Sequence, residues 1–350
     1  MARSLRFWGV ATLLVLAFLF LFRDILLPFV VGLGVAYFLD PVADRLEALV
    51  RSRTLAAILA MFGFYVLILV FFLLFWPVLE NQIATFAERV PGYLQEIRET
   101  LVPYLTNLFA GLSPEMVGKL EAAAGAEAGK VLGLVGSLAG SLFSGGVAIF
   151  NLISLLLVTP IVIFYLLRDW DRIVARVNGW LPQAQAGVIR AQLREIDRTL
   201  AGFIRGQATV CVLLGLFYGI GLTLAGLDFG LIVGLGTGLL SFIPYFGMLI
   251  GFAIGMTLAL LQFSDWLPVA IVGGIFLAGQ VIEGNFVTPK LVGERVGLHP
   301  VWVIFALFAG AAVGGFLGLL LAVPVAAVIG VMARFGIERY LASDYYSGRS

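Results

Sequence analysis

The sequence predicts an all-α, polytopic membrane protein with two broken, re-entrant helical hairpins and an external amphipathic helix block. Three observations predict it. Apolar runs of about 20 residues recur along the chain, the length that a hydrocarbon core of roughly 30 Å demands of a helix. Hydrophobic residues make up 61% of the 350 and charged residues only 12%, against about 25% charged in soluble domains; mean hydropathy is +1.06. Two apolar runs are too long for one crossing, and each is interrupted midway by Gly or Pro. The runs have helical length, not the alternation of barrel strands, whose segments are about 10 residues. A net charge of +1 points to no nucleic-acid partner. The single Cys211 rules out an intrachain disulfide, and no zinc or thiol-relay spacing occurs.

Residues 1–79 are predicted to hold three spans. The run 5–22 lies behind Arg3 and Arg6. It reads as an uncleaved span, because Arg23-Asp24 and a second apolar run follow it instead of a small-residue cleavage site. Ile25–Leu39 is short and ends at Asp40-Pro41; Arg45, Arg51 and Arg53 then mark a cytoplasmic loop. Thr54–Leu79 is the third span, with Trp76 suited to the interface.

Residues 80–146 form the one acidic block and are expected outside. Leu79, Ile83, Phe86, Val90, Leu94 and Ile97 begin an apolar stripe on a long helix interrupted at Pro91 and Pro103. Such a stripe suits a helix lying on the membrane or on its own protein, or a contact between subunits. In 147–206, Val147–Leu167 is a fourth span, kinked at Pro160. A pair of cytoplasmic interfacial helices then turns Arg168, Arg172, Arg176, Arg190, Arg194, Arg198 and Arg205 toward anionic headgroups. Asp169, Asp171, Glu195 and Asp197 read as solvated partners of those arginines.

Residues 207–335 are the expected transport core. Gln207–Gly226 is a fifth span, ending outside at Asp228. The stretch 229–263 is broken at Ser241-Phe-Ile-Pro-Tyr-Phe-Gly247. Trp266–Ile282 returns to the polar island Gln280–Pro300, whose Lys290 and Arg295 belong in the cytoplasm. Parity therefore makes 229–263 a hairpin that enters and leaves on the outer side. The stretch 301–334 is broken at Gly314-Gly315, and Arg334, Arg339 and Arg349 hold the tail 336–350 inside. It should be a hairpin of opposite entry. Both termini are then cytoplasmic. Two broken segments of opposite entry are what an inverted-repeat transporter shows, with main chain freed near midplane for a ligand.

Four stretches carry a family resemblance: LLPFVVGLGVAYFLDPVADRLE, SFIPYFG, EGNFVTPKLVGERVGLHP and GAAVGGFLGLLLAVPVAAV. In this order they resemble the autoinducer-2 exporter family of permeases, and the likeness spans essentially the whole chain. It implies a multi-span inner-membrane permease that exports small molecules, in some members a quorum-sensing signal or its precursor. Other members resemble cation/proton antiporters. It also implies a homo-oligomer, with a pentamer as the suggested form.

The candidate pathway residues are Pro244, Tyr245, Phe246 and Gly247 at one break, Gly314 and Gly315 at the other, and Gln280, Glu283 and Asn285 where a span meets the island. Candidates for coupling to protons or monovalent cations are Glu283, Asp265, Asp228 and His299. Each has a structural reading beside the functional one. Glu283 can anchor the island on Lys290 or Arg295. His299 can pack a helix entry, although an unperturbed pKa near 6.5 suits pH sensing. Pro244–Phe246 can be a plain turn. No nucleophile–base set, nucleotide-binding loop or metal cluster is visible, so no enzyme, cofactor or ATP-driven pump is expected. The leading expectation is a secondary exporter of small polar or amphiphilic metabolites, proton-coupled, moving by its hairpins. A monovalent cation/proton antiporter and a non-transporting membrane scaffold are the rivals.

Overall fold

The computed structural model describes residues 21–22, 25–96, 146–287 and 297–347, and among these all regular structure is helical. Helix α1 covers Leu27–Val50, α2 Arg53–Glu96, α3 Gly146–Trp180 and α4 Ala186–Leu224. Helices α5 (Gly230–Leu240) and α6 (Phe246–Gln262) follow, then α7 (Trp266–Ile282) with a π-turn at Glu283–Val287, and α8 (Pro300–Leu341). Among the described residues, five helices are long and apolar enough to cross a membrane. The expected first span, most of the external block and the cationic part of the island lie outside the described residues.

Two apolar cores organise the bundle. In the first, Ala36, Leu39 and Ala43 of α1 meet Ala57 and Ala60 of α2 and Ile163 and Leu167 of α3. Small residues at these contacts let the backbones approach closely. Arg53 locks the same three helices at one end. It donates to the Leu167 carbonyl at 2.7 Å and reaches Asp40, Asp44 and Glu47 of α1 at 2.9, 2.6 and 3.1 Å.

The second core gathers α4 to α8 around Phe203, Val210, Leu214, Tyr218, Phe276 and Ala327. Helix α5 packs antiparallel on α4 through Gly234 over Gly219 and Gly238 over Gly215. A Cβ at either α5 position would fall inside the opposing backbone. Thr237 on the other face of α5 and Ser241 at its C-cap sit under Gly251 and Gly247 of α6. The stretch 229–263 is thus a helical hairpin. So is α8: at Gly315 the backbone turns to φ 56°, ψ −135°, and Gly310 lies against Gly318 across the turn.

Four elements run further than the sequence suggests. Helix α1 does not end at Asp40-Pro41 but continues to Val50. Helix α2 continues through Pro91 to Glu96. The second expected interfacial helix and the fifth span are one rod, α4, of 39 residues. The first expected interfacial helix likewise continues α3 to Trp180.

Candidate functional site

At the tip of the first hairpin, α5 stops at Leu240 and α6 starts at Phe246, with Tyr245 in the left-handed region at φ 69°. Short turns hold the tip together, with Ile243 N–H on Leu240 O at 3.0 Å and Phe246 N–H on Ile243 O at 3.1 Å. The buried Gln207 of α4 donates from Nε2 to the Ser241 carbonyl, and Ser241 Oγ donates to Thr237 O at 2.8 Å. Gln207 and Ser241 are only 5% and 3% exposed, so an amide inside an apolar bundle finds its partner in the break itself. Part of the main chain expected to be free is therefore already paired. What the tip offers outward is aromatic: Tyr245 and Phe246 are exposed, Pro244 is half-buried and Gly247 is buried against Ser241. At the second tip Gly314 is half-buried and Gly315 exposed, flanked by the exposed Val313 and Phe316.

The polar candidates separate into two groups. Asp228 and Asp265 lie at the open end of the first hairpin. There Gln262 accepts from the Asp228 N–H at 2.7 Å and donates to Gly226 O at 2.8 Å. Asp265 is exposed at the N-cap of α7 and makes no side-chain cap bond. Glu283 lies at the other end of α7, half-buried, where the π-turn begins, with Gln280 and Asn285 exposed beside it. Helix α7 runs antiparallel to α4, with Ile275 against Gly221 and Gly279 against the Tyr218 ring. That brings Glu283 back along α4, into the neighbourhood of Cys211 and Tyr218. His299 caps α8, exposed, its Nδ1 accepting from the Val301 N–H at 3.4 Å. Lys290 and Arg295, the partners considered for Glu283, lie outside the described residues. Among those residues no group of three or more His, Cys, Asp or Glu could hold a metal.

A cleft that sequence reasoning missed lies between α1, α3 and α4, lined by Tyr37, Asp40, Trp170, Asp197, Ala201 and Arg205. Tyr37 donates its hydroxyl to Asp197 at 2.9 Å and stacks edge-on with Trp170. Arg205 donates from Nε to the Tyr37 carbonyl at 2.9 Å and stands 3.6 Å from Asp40. Asp40 thus bridges Arg53 of the first core and Arg205 of the second. A further polar link between the cores is Gln82 of α2, accepting from the Ile232 N–H at 3.2 Å. Ile232 is in the first turn of α5, where N–H groups lack helical partners. One signal for the cleft was available: Asp197, Ala201 and Arg205 recur every fourth residue and share a helix face.

The profile of the "AI-2E family transporter" matches residues 10–337. The "Putative transport protein YrrI" of Bacillus subtilis is 29% identical over 325 residues, covering 89% of this chain and 86% of the relative. The "Putative transport protein YueF" of the same organism is 25% identical, over 93% of this chain and 92% of the relative. The "Putative permease PerM" of Escherichia coli K12 is 24% identical, over 89% and 87%. With the profile covering nearly its whole length, this chain belongs to the AI-2E family of membrane transporters.

Proposed function

We infer that this transporter is a secondary exporter of small polar or amphiphilic metabolites, an autoinducer-2-like signal among them, driven by protons. One observation carries the reading. Two apolar stretches, each too long for one crossing, fold into helical hairpins with non-helical tips, and both pack into the core around α4. The first has its open end beside the C-terminal end of α4 and its tip beside Gln207. Helix α7 then runs back along α4 toward the side of the first one's tip, and the second hairpin, next in the chain, would start from that side. This supports opposite, re-entrant approaches. Substrate would bind between Pro244–Gly247 and Gly314-Gly315, with Gln280 and Asn285 lining the approach and Glu283 as coupling carboxylate. The hairpins would move against the scaffold of α1–α3, which meets the core through sparse polar links. The protein would sit in the inner membrane, with both termini cytoplasmic, as a homo-oligomer. Exposed apolar side chains along α2, such as Phe62, Leu67 and Leu74, would face lipid or a neighbouring copy.

The test is accessibility. In inverted and right-side-out vesicles, P244C and G314C, each in a C211S background, should change their alkylation rates when a pH gradient is imposed. Equal rates from both sides, unaltered by the gradient, would reject moving hairpins. Monovalent cation/proton antiport is the second reading, favoured by the half-buried Glu283. Under it, E283Q abolishes cation-driven proton flux in proteoliposomes.

A further inference from the structure

Tyr218 is fully buried in the C-terminal part of α4, yet among the described residues its hydroxyl has no hydrogen-bond partner. Its ring stacks on Phe276 of α7 with centroids 5.1 Å apart and planes at 30°. The hydroxyl end lies over Gly279, where a Cβ would overlap the oxygen and the ring edge. An unpaired buried hydroxyl is costly, and a phenylalanine would fill this space without it. Helix α7 therefore gives up a side chain at Gly279 to seat a group that gains nothing in the conformation seen.

One turn beyond Gly279 on the same helix stands Glu283. It opens the π-turn, and its N–H bonds to the carbonyls of Gly279 and Gln280. A π-turn holds an extra residue, and its return to α-helix rotates the downstream chain by about 100°. Tyr218 and Cys211, seven residues apart on α4, are the titratable groups that neighbour Glu283. Among the described residues, no cation or second carboxylate neighbours Glu283.

We propose that Tyr218 is the positioning residue for Glu283: in a second state of the carrier its hydroxyl donates a hydrogen bond to the Glu283 carboxylate. The state seen here, with the π-turn formed and the hydroxyl unpaired, is the released one. Transfer of a proton from hydronium in the aqueous phase to the carboxylate weakens the bond and lets the π-turn form; return of that proton to water restores it. The phenol keeps its own proton throughout. The proposal rests on reading Glu283 as the coupling carboxylate.

The test is infrared titration of the full chain in lipid, with ring-labelled tyrosine. The carboxyl C=O band that vanishes in E283Q is assigned to Glu283. In wild type the Tyr218 phenol band, assigned by its loss in Y218F, should change with the same midpoint, and it should stay constant in E283Q. In Y218F the carboxyl midpoint should move to higher pH by roughly one unit, because the ionised form has lost a donor. A Glu283 band that titrates unmoved in Y218F overturns this proposal alone. Absence of any titrating Glu283 band overturns the reading of Glu283 as well. Should Y218F fail to insert, the tyrosine bands of wild type and E283Q decide: a phenol band with the carboxyl midpoint in wild type alone supports the pairing, and none overturns it.

Discussion

Arg205 donates from its Nε to the carbonyl oxygen of Tyr37 at 2.9 Å. That carbonyl would ordinarily accept from the N–H four residues on, but residue 41 is a proline and has none. A side chain from α4 thus supplies the donor that α1 lacks, and α1 passes through Pro41 as an unbroken helix. The same guanidinium stands 3.6 Å from Asp40. We expect R205A to destabilise the purified protein by about 1–3 kcal/mol, the usual cost of leaving a buried or half-buried acceptor unpaired. In a P41A background the restored N–H should take over the Tyr37 carbonyl, and the cost of R205A should shrink. A double-mutant cycle on thermal unfolding in detergent measures the difference. Additive effects would show that the carbonyl bond contributes nothing.

The α4–α5 contact predicts a sharp contrast among neighbouring glycines. G234A and G238A would force a methyl group into the backbone of Gly219 or Gly215, and overpacking of this kind costs typically 1–3 kcal/mol or more. G236A, two residues from both, meets open space and should leave the melting temperature unchanged or slightly raised, since alanine favours the helix. Thermal unfolding of the three variants in one detergent checks the ranking. Equal loss in all three would mean that the close approach is not what holds α5.

How much of this could be read from the chain depends on whether the decisive partner was local. Both breaks were legible, because Pro244 and Gly314-Gly315 punctuate long apolar runs in the sequence itself. So was the helical character, from run length and composition. The continuation of α1 through Pro41 was not, because Arg205, the residue that permits it, is 168 positions from Tyr37. The fusion of the interfacial helix with the fifth span was hidden for a similar reason. The polar residues that seemed to mark a boundary, Arg205 and Gln207, find their partners on α1 and at the hairpin tip. The candidate site was legible as a set of residue types at breaks and span ends. That Glu283 and Tyr218 share an interface was not, since it depends on how α7 folds back along α4.

Gly315 predicts a second contrast. Its φ of 56° with ψ of −135° lies outside the regions open to residues bearing a Cβ. G315A should therefore strain the turn of the second hairpin by about 1–3 kcal/mol. G314A meets no neighbouring atom and should be tolerated. Thermal unfolding of the two variants in one detergent checks the contrast. An unchanged melting temperature in G314A and a lowered one in G315A is the expected result, and equal loss in both would mean that the backbone at Gly315 is not what the turn depends on.

The extension of α3 beyond the apolar run predicts a pH dependence. Arg168 donates to both carboxylate oxygens of Asp169, at 3.0 and 2.6 Å, and packs over the Phe164 and Tyr165 rings. Hydrogen bonding from Arg168 holds the Asp169 carboxyl below its ordinary value. A group whose pKa is lowered by folding adds stability that is present above its unfolded value, about 3.9 for Asp, and that fades as pH falls through the folded value. The stretch 168–180 should therefore hold its amide protection down to about pH 4 and lose it in more acid solution. Hydrogen exchange across that segment, compared at neutral and acid pH, reads this out. D169N should show the weaker protection at neutral pH and no further loss on acidification. If its protection instead followed pH as the wild type does, the segment would be responding to other carboxylates and the Arg168–Asp169 pair would have no part in it.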